Sequence, residues 1–139
     1  MLSRLGCMKS TEPTALRILL VDDSPAFLHA ASRALAPDPR IDIVGKALSG
    51  HEAIALVPQV QPDVVLMDVA MPGMNGFEAT RQIKAQPNPP RVFVLTSHDL
   101  AHYRTAAEAA GADYFVNKAD FGSELLPLID EVLTERVTS

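Results

Sequence analysis

The sequence predicts an α/β fold, a doubly wound five-stranded parallel sheet with helices on both faces. Short apolar runs alternate with helix-like segments five times, and no connection between them is long. The run "RILLVDD" (Arg17 to Asp23) puts four large aliphatics in a row, as a strand buried on both faces requires, and then breaks into acids.

Each element has its own local warrant. After "RILLVDD", Ser24 and Pro25 supply an N-cap and an N1 proline for a helix through about Ala36, with Phe27, Leu28, Ala31 and Leu35 on one face. "APDPR" is a turn, and "IDIVGKA" (Ile41 to Ala47) alternates like a strand with one exposed side. A short helix is expected from about Gly50, stopping near Pro58. "DVVLMDV" (Asp63 to Val69) is the third strand, and "GFEATRQIKAQ" (Gly76 to Gln86) a helix turning Phe77, Ala79 and Ile83 inward. The turn-rich "PNPP" leads to the fourth strand, "RVFVLTS" (Arg91 to Ser97), and "DLAHYRTAAEAAG" is a helix closed by Gly111 at C′. "DYFVNK" (Asp113 to Lys118) is the fifth strand. Ser123 is expected to cap a last helix running to about Glu135, with Pro127 in or just after its first turn.

The chain of 139 residues has the length of one domain, read as a leader at 1–15, a folded unit at 16–136 and a tail at 137–139. Met8 is an alternative start. A formal net charge of -5 argues against a nucleic-acid-binding surface, which needs a basic face. The single cysteine, Cys7, allows no internal disulfide and fits a reducing compartment, hence the cytoplasm. No apolar stretch approaches the ~20 residues that span a membrane, and the start lacks the apolar core of a signal peptide.

Polar function in such folds gathers at the carboxyl ends of the strands. Here those ends carry Asp22 and Asp23, Asp68, Thr96 with Ser97, and Lys118. Singly, each is ordinary: a strand-end Asp is a turn former or helix cap, and a lysine there is a solvated cation. Jointly, the acids repel one another and need positive charge, which Lys118 supplies in part and a hard, oxygen-liking divalent cation such as Mg²⁺ completes. An ion and a lysine are also what a phosphoryl group needs to spread its charge, so transfer of phosphoryl onto a carboxylate is the indicated chemistry.

The motifs "LLVDDSP", "DVVLMDVAMPGMNGFE", "VFVLTS" and "GADYFVNK", in this order and spacing, resemble those of response-regulator receiver domains, the signal-receiving half of two-component systems. The resemblance covers about Arg17 to Glu135 and implies the flavodoxin-like strand order 2-1-3-4-5. It implies that Asp68 accepts phosphoryl from the phosphohistidine of a sensor histidine kinase or phosphotransfer protein. It further implies that Asp23, Asp68 and the carbonyl of Ala70 hold Mg²⁺, with Asp22 reaching it through water. Lys118 would pair with Asp68 and then with the phosphoryl oxygens, Thr96 would donate its hydroxyl to them, and Phe115 would be the switch aromatic rather than Tyr114. Output would pass to a partner protein or domain through the fourth helix, fifth strand and fifth helix, without direct nucleic-acid binding by this chain, and a phosphorylation-dependent homodimer is compatible with that face. The receiver would catalyse its own phosphorylation and dephosphorylation without being an enzyme in the usual sense.

Two departures from the family pattern stand out. Ala119 follows Lys118 where the family usually has Pro, so a trans bond and a different path into the last helix are expected. Ala70 and His98 occupy the positions two beyond Asp68 and Thr96, on the route of attacking water, so the phosphoryl lifetime should be unusual; His98 itself reads as an exposed loop residue. A haloacid-dehalogenase-type phosphohydrolase would need a second acid where Ala70 stands. A nucleotide-binding loop at "GKALSG" fails on Ala47 and Arg40. A receiver fold that never takes phosphate is disfavoured by the full set of Asp23, Asp68, Thr96 and Lys118. The sequence ends at Ser139, soon after the last helix, which suits either a stand-alone receiver or one belonging to a transcription factor.

Overall fold

The computed structural model describes residues 15–97 and 101–138. Residues 1–14 of the expected leader, with Cys7 and Met8, and residues 98–100, with His98 and the expected start of the fourth helix, lie outside the described residues. The chain runs β1 (Leu16–Val21), α1 (Pro25–Leu35), β2 (Ile41–Ala47), α2 (Gly50–Val60), β3 (Val64–Asp68), α3 (Gly76–Lys84), β4 (Arg91–Thr96), α4 (Ala101–Ala110), β5 (Tyr114–Asn117) and α5 (Phe121–Thr138). The strands form one sheet with all neighbours parallel, as the sequence pattern predicts, in the order β2-β1-β3-β4-β5 that the resemblance implies.

The unbroken apolar runs of the three central strands are explained by covering on both faces. Successive side chains point to opposite sides of a strand. Ile18, Leu20, Val64, Leu66, Phe93 and Leu95 therefore pack with Leu28 and Leu35 of α1 and Leu125 and Ile129 of α5. Leu19, Val21, Val65, Met67, Val92 and Val94 pack on the other face with α2, α3 and α4. On the edge, β2 keeps the partly exposed pattern expected of it, and the β1–β2 register shifts between Ile18 and Leu19.

The helix ends follow local chemistry. Ser24 caps α1, its hydroxyl accepting from Phe27 N, with Pro25 at N1; Asn75 caps α3 by accepting from Glu78 N. Gly111, at φ 93°, follows α4 in the left-handed conformation that a C′ residue needs. Two expected boundaries are corrected. α2 does not stop near Pro58 but continues to Val60, ending at Gln61 with φ 48°. A proline deprives the carbonyl four residues back of its donor; here that carbonyl, of Ile54, accepts Gln86 Nε2 at 3.4 Å instead, which offsets the cost. α5 begins at Phe121, not after a Ser123 cap, and continues past Glu135 to Thr138. The cause is a 3-10 turn over Lys118–Asp120, capped by Asn117, whose side chain accepts from Ala119 N. Ser123 thus lies inside the helix, its hydroxyl donating to Asp120 O at 3.3 Å, and Pro127 falls in the second turn. No described peptide bond is cis, so the Lys118–Ala119 bond is trans as expected.

Among the described residues, one buried hydroxyl is left over. Thr80 on α3 is fully buried, and its hydroxyl has no hydrogen-bond partner. Leaving a hydroxyl unpaired in an apolar setting costs on the order of 1–3 kcal/mol. Thr80→Val, which swaps that hydroxyl for a methyl, should therefore stabilise the protein by about 1 kcal/mol, read as a rise in the thermal or urea midpoint; an unchanged or lower midpoint would show that the hydroxyl is satisfied in solution.

Candidate functional site

Sheet geometry places the carboxyl ends of β1, β3, β4 and β5 along one rim. Asp68 is the last residue of β3, paired with Leu95, and Thr96 ends β4 one residue further on, paired with Asn117. Asp22 and Asp23 directly follow β1, and Lys118 follows β5 as the first residue of the 3-10 turn rather than as the last of the strand. Asp22, Asp68 and Thr96 are buried (1, 5 and 2% exposed), whereas Asp23 and Ala70 lie open to solvent.

The three acids converge as the sequence predicts: one carboxylate oxygen from each of Asp22, Asp23 and Asp68 falls within 4.8 Å of the others. Lys118 Nζ lies 2.6 Å from Asp22 Oδ2 and 3.3 Å from Asp68 Oδ1. The lysine was expected on Asp68; it bridges both acids and sits nearer Asp22. Asp22 is oriented by Ser24 N, which donates to its Oδ1 at 2.9 Å. That leaves its buried Oδ2 with the ion-pair contact to Lys118 and no aligned hydrogen-bond donor.

Electrostatics follow from this crowding. Burial pushes the Asp68 carboxyl up to about 6, and the like charge of Asp22, with a smaller push from Asp23, adds to burial against the pull of Lys118. For Lys118, burial by itself would lower the ammonium, but its bonds and attraction to Asp22 and Asp68 prevail and raise it. One lysine thus under-compensates three acids. An under-neutralised, oxygen-only cluster, with two of its three carboxylates buried, fits a hard divalent cation.

The loop after β3 is shaped by close backbone approach. Gly76 N donates to Val69 O at 2.9 Å, and a Cβ on Gly76 would fall 2.1 Å from Asp68 O. Only glycine lets the start of α3 fold back over the Asp68 backbone and aim the loop containing Ala70 at the rim. The sequence reading missed this residue, although a glycine directly after an Asn cap is the available signal. It also treated Phe27 as core alone, whereas Lys118 Nζ stands 4.3 Å from the Phe27 ring centroid. Tyr114 faces the α5 side, its ring 4.9 Å from that of Phe93 and its hydroxyl donating to Glu131. Phe115 faces the other side, half-buried, with Arg104 of α4 stacked 4.5 Å from its ring centroid.

Comparison with known proteins gives a consistent result. The family model for the response regulator receiver domain matches residues 18–130. A protein-glutamate methylesterase/protein-glutamine glutaminase of Photobacterium profundum is 39% identical over 104 residues, 74% of this chain and 26% of that protein. The structure of a two-component response regulator of the LuxR family from Aurantimonas is similar at a TM-score of 0.81 and 33% identity, over 87% of this chain and 86% of that one. The signal receiver domain of the response regulator NarL from Mycobacterium tuberculosis is similar at 0.81 and 30% identity, over 88% and 98%. The chain spans 26% to 35% of the length of the methylesterase relatives.

Two outcomes test the site's physics. A carboxyl raised on folding favours the native state below its unfolded value near 3.8 and loses that contribution as pH rises through about 6. In metal-free protein the stability advantage of Asp68→Asn over the parent should therefore grow between those two values and level off above them. Water at the open rim screens part of the charge, so the gain should reach about 1–2 kcal/mol, measured by urea unfolding across pH; a pH-independent difference would contradict the assignment. Gly76→Ala should cost at least about 2 kcal/mol, because backbone rather than a pliable side chain must move, and a normal melt would contradict the close approach.

Proposed function

The chain belongs to the response regulator receiver family, and from that premise we propose that Asp68 accepts a phosphoryl group from a partner kinase's or phosphotransfer protein's phosphohistidine in a Mg²⁺-dependent reaction. The observation that carries this reading is the convergence of Asp22, Asp23 and Asp68 within 4.8 Å, with Lys118 in contact with two of them.

In the transfer, a carboxylate oxygen of Asp68 supplies the electron pair for a new O–P bond while the N–P bond of the donor breaks, its bonding pair leaving on the imidazole nitrogen, which solvent protonates. Asp23, Asp68 and the carbonyl of Ala70 would hold the ion, with Asp22 reaching it through water. When bound, the ion cancels charge on the transferring oxygens and restores the counter-charge that Asp68 lacks. Lys118, already on Asp68 Oδ1, moves with the incoming group and neutralises another of its oxygens. Thr96, at the end of the adjacent strand, donates its hydroxyl to the bound phosphoryl. Hydrolysis at the same centre resets the protein, so the receiver catalyses its own dephosphorylation.

The readout is a population shift: the dianion engages Thr96 and Lys118 better in one loop arrangement, and Phe115 follows Thr96 inward. That movement takes Phe115 from beneath Arg104, and so reports to the α4-β5-α5 face, where an output protein, an output domain or a second copy would bind. Similar chains carry names of a methylesterase and of transcriptional regulators. Output here is through protein contact, with the acidic balance disfavouring direct nucleic-acid binding by this domain. A cytoplasmic location belongs to the same reading; among the described residues no helix is long and apolar enough to cross a membrane.

Incubation with Mg²⁺ and a small acyl-phosphate, followed by intact-mass measurement, should show one added phosphoryl group, absent in Asp68→Asn and after chelation. No mass gain under conditions that modify a control receiver would overturn the reading.

A further inference from the structure

We propose that Phe27, braced by Phe121, is a positioning residue for Lys118: its ring face holds the ammonium at the acid cluster and lets it pass from Asp22 to the incoming phosphoryl group. This rests on the phosphoacceptor reading above.

The Lys118 ammonium contacts Asp22 Oδ2 at 2.6 Å, Asp68 Oδ1 at 3.3 Å and the Phe27 ring at 4.3 Å from its centroid. The two acids draw it from one side and the aromatic face from another. Phe121 meets Phe27 edge to face, with centroids 5.6 Å apart and planes at 79°, the arrangement in which one ring's positive edge points at another's negative face. Both rings are half-buried against the core on the α1 and α5 side, so neither is free to swing away.

Both rings are also placed by backbone. Phe27 is held one turn into α1 by its own N–H, which donates to the Ser24 hydroxyl at 3.2 Å, and Ser24 N in turn orients Asp22. The cap therefore fixes the aromatic and one of the acids together. On the other side, Lys118 and Phe121 flank the 3-10 turn, Phe121 N donating to Lys118 O. With three residues per turn, side chains three apart eclipse one another, so this turn sets Lys118 and Phe121 on the same side of the chain, where both meet Phe27. Ala119, at the position where a proline would lack the N–H, donates to Asn117 Oδ1 at 2.9 Å and closes the turn. The departure from the family pattern after the lysine and the aromatic bracket are thus one local structure.

The choice of an aromatic has a physical reason. Lysine is a point charge on a flexible stem and must be ordered before transfer. A further carboxylate would order it but would compete with the phosphoryl group for the charge. A ring face attracts a cation without tight directionality and carries no net charge, so the ammonium can slide across it as its partner changes. An aliphatic side chain would fill the same space and exert no such pull.

The test is the rate of Asp68 phosphorylation by acetyl phosphate at saturating Mg²⁺, followed by intact mass, with melting curves for every variant. The small donor removes any contribution from docking of a protein donor. Phe27→Leu and Phe27→Met, which keep the packing but lose the ring face, should slow modification about 3- to 20-fold, and Phe27→Tyr should recover most of the rate. A packing role would make all variants track their melting temperatures. Folded Leu and Met variants with the parent's rate, or a Tyr variant as slow as Leu, would overturn the proposal while leaving Asp68 as the acceptor. A parent protein that takes up no phosphoryl group would overturn both.

Discussion

Three carboxylates held at one rim are the constraint on which the rest of this structure depends. Asp22 and Asp68 are nearly inaccessible to solvent, and with Asp23 they outnumber the one lysine that reaches them. Like charges this close, in a setting that penalises ionisation, cost the fold free energy that must be recovered elsewhere. It is recovered in a sheet whose central strands bury aliphatic side chains on both faces. The stable part of the molecule thereby supports a destabilised rim, and that rim is where a cation and a phosphoryl group would find their complement.

The same constraint explains why the loops at the rim are so specific. The two buried acids must be held where they are repelled, so backbone fixes them and the lysine that meets them. Asp22 is oriented by Ser24 N, which belongs to the cap of α1. Asp68 ends a strand whose following loop returns under Gly76, pressed against the Asp68 carbonyl at a distance no Cβ would permit. Lys118 begins a 3-10 turn closed by Asn117. A capping residue, a glycine and a short turn therefore do the positioning, and the side chains they position are left to do the chemistry.

Opposite faces of β5 separate two jobs. Tyr114 is tied to α5 through Glu131 and packs on Phe93, which makes it part of the scaffold. Phe115, its neighbour, faces α4 and meets Arg104. Alternation along a single short strand puts a fixed aromatic on one side and, in the reading proposed above, a movable one on the other. In the same reading, a change at Thr96, in register with Asn117 on the adjacent strand, would reach the α4 side through Phe115.

By itself the sequence determined the strands, the alternation that makes the sheet parallel, the caps at Ser24 and Gly111, and the inventory of groups at the rim. These are local matters: aliphatic runs, hydroxyl caps and glycine turns act within a few residues of where they stand. Even the mistakes were local in origin. Pro58 reads as a helix stop until Gln86, distant in the chain, is seen to serve the Ile54 carbonyl. Ser123 reads as a cap until Asn117 is seen to start the turn earlier. Only the tertiary structure decided that Lys118 sits nearer Asp22 than Asp68, that Phe27 lies against that lysine, that Gly76 must touch the Asp68 backbone, and that Thr80 is buried without a partner. Each of these is a contact between elements, set by sheet register and helix packing. No periodicity or composition within one segment carries that information.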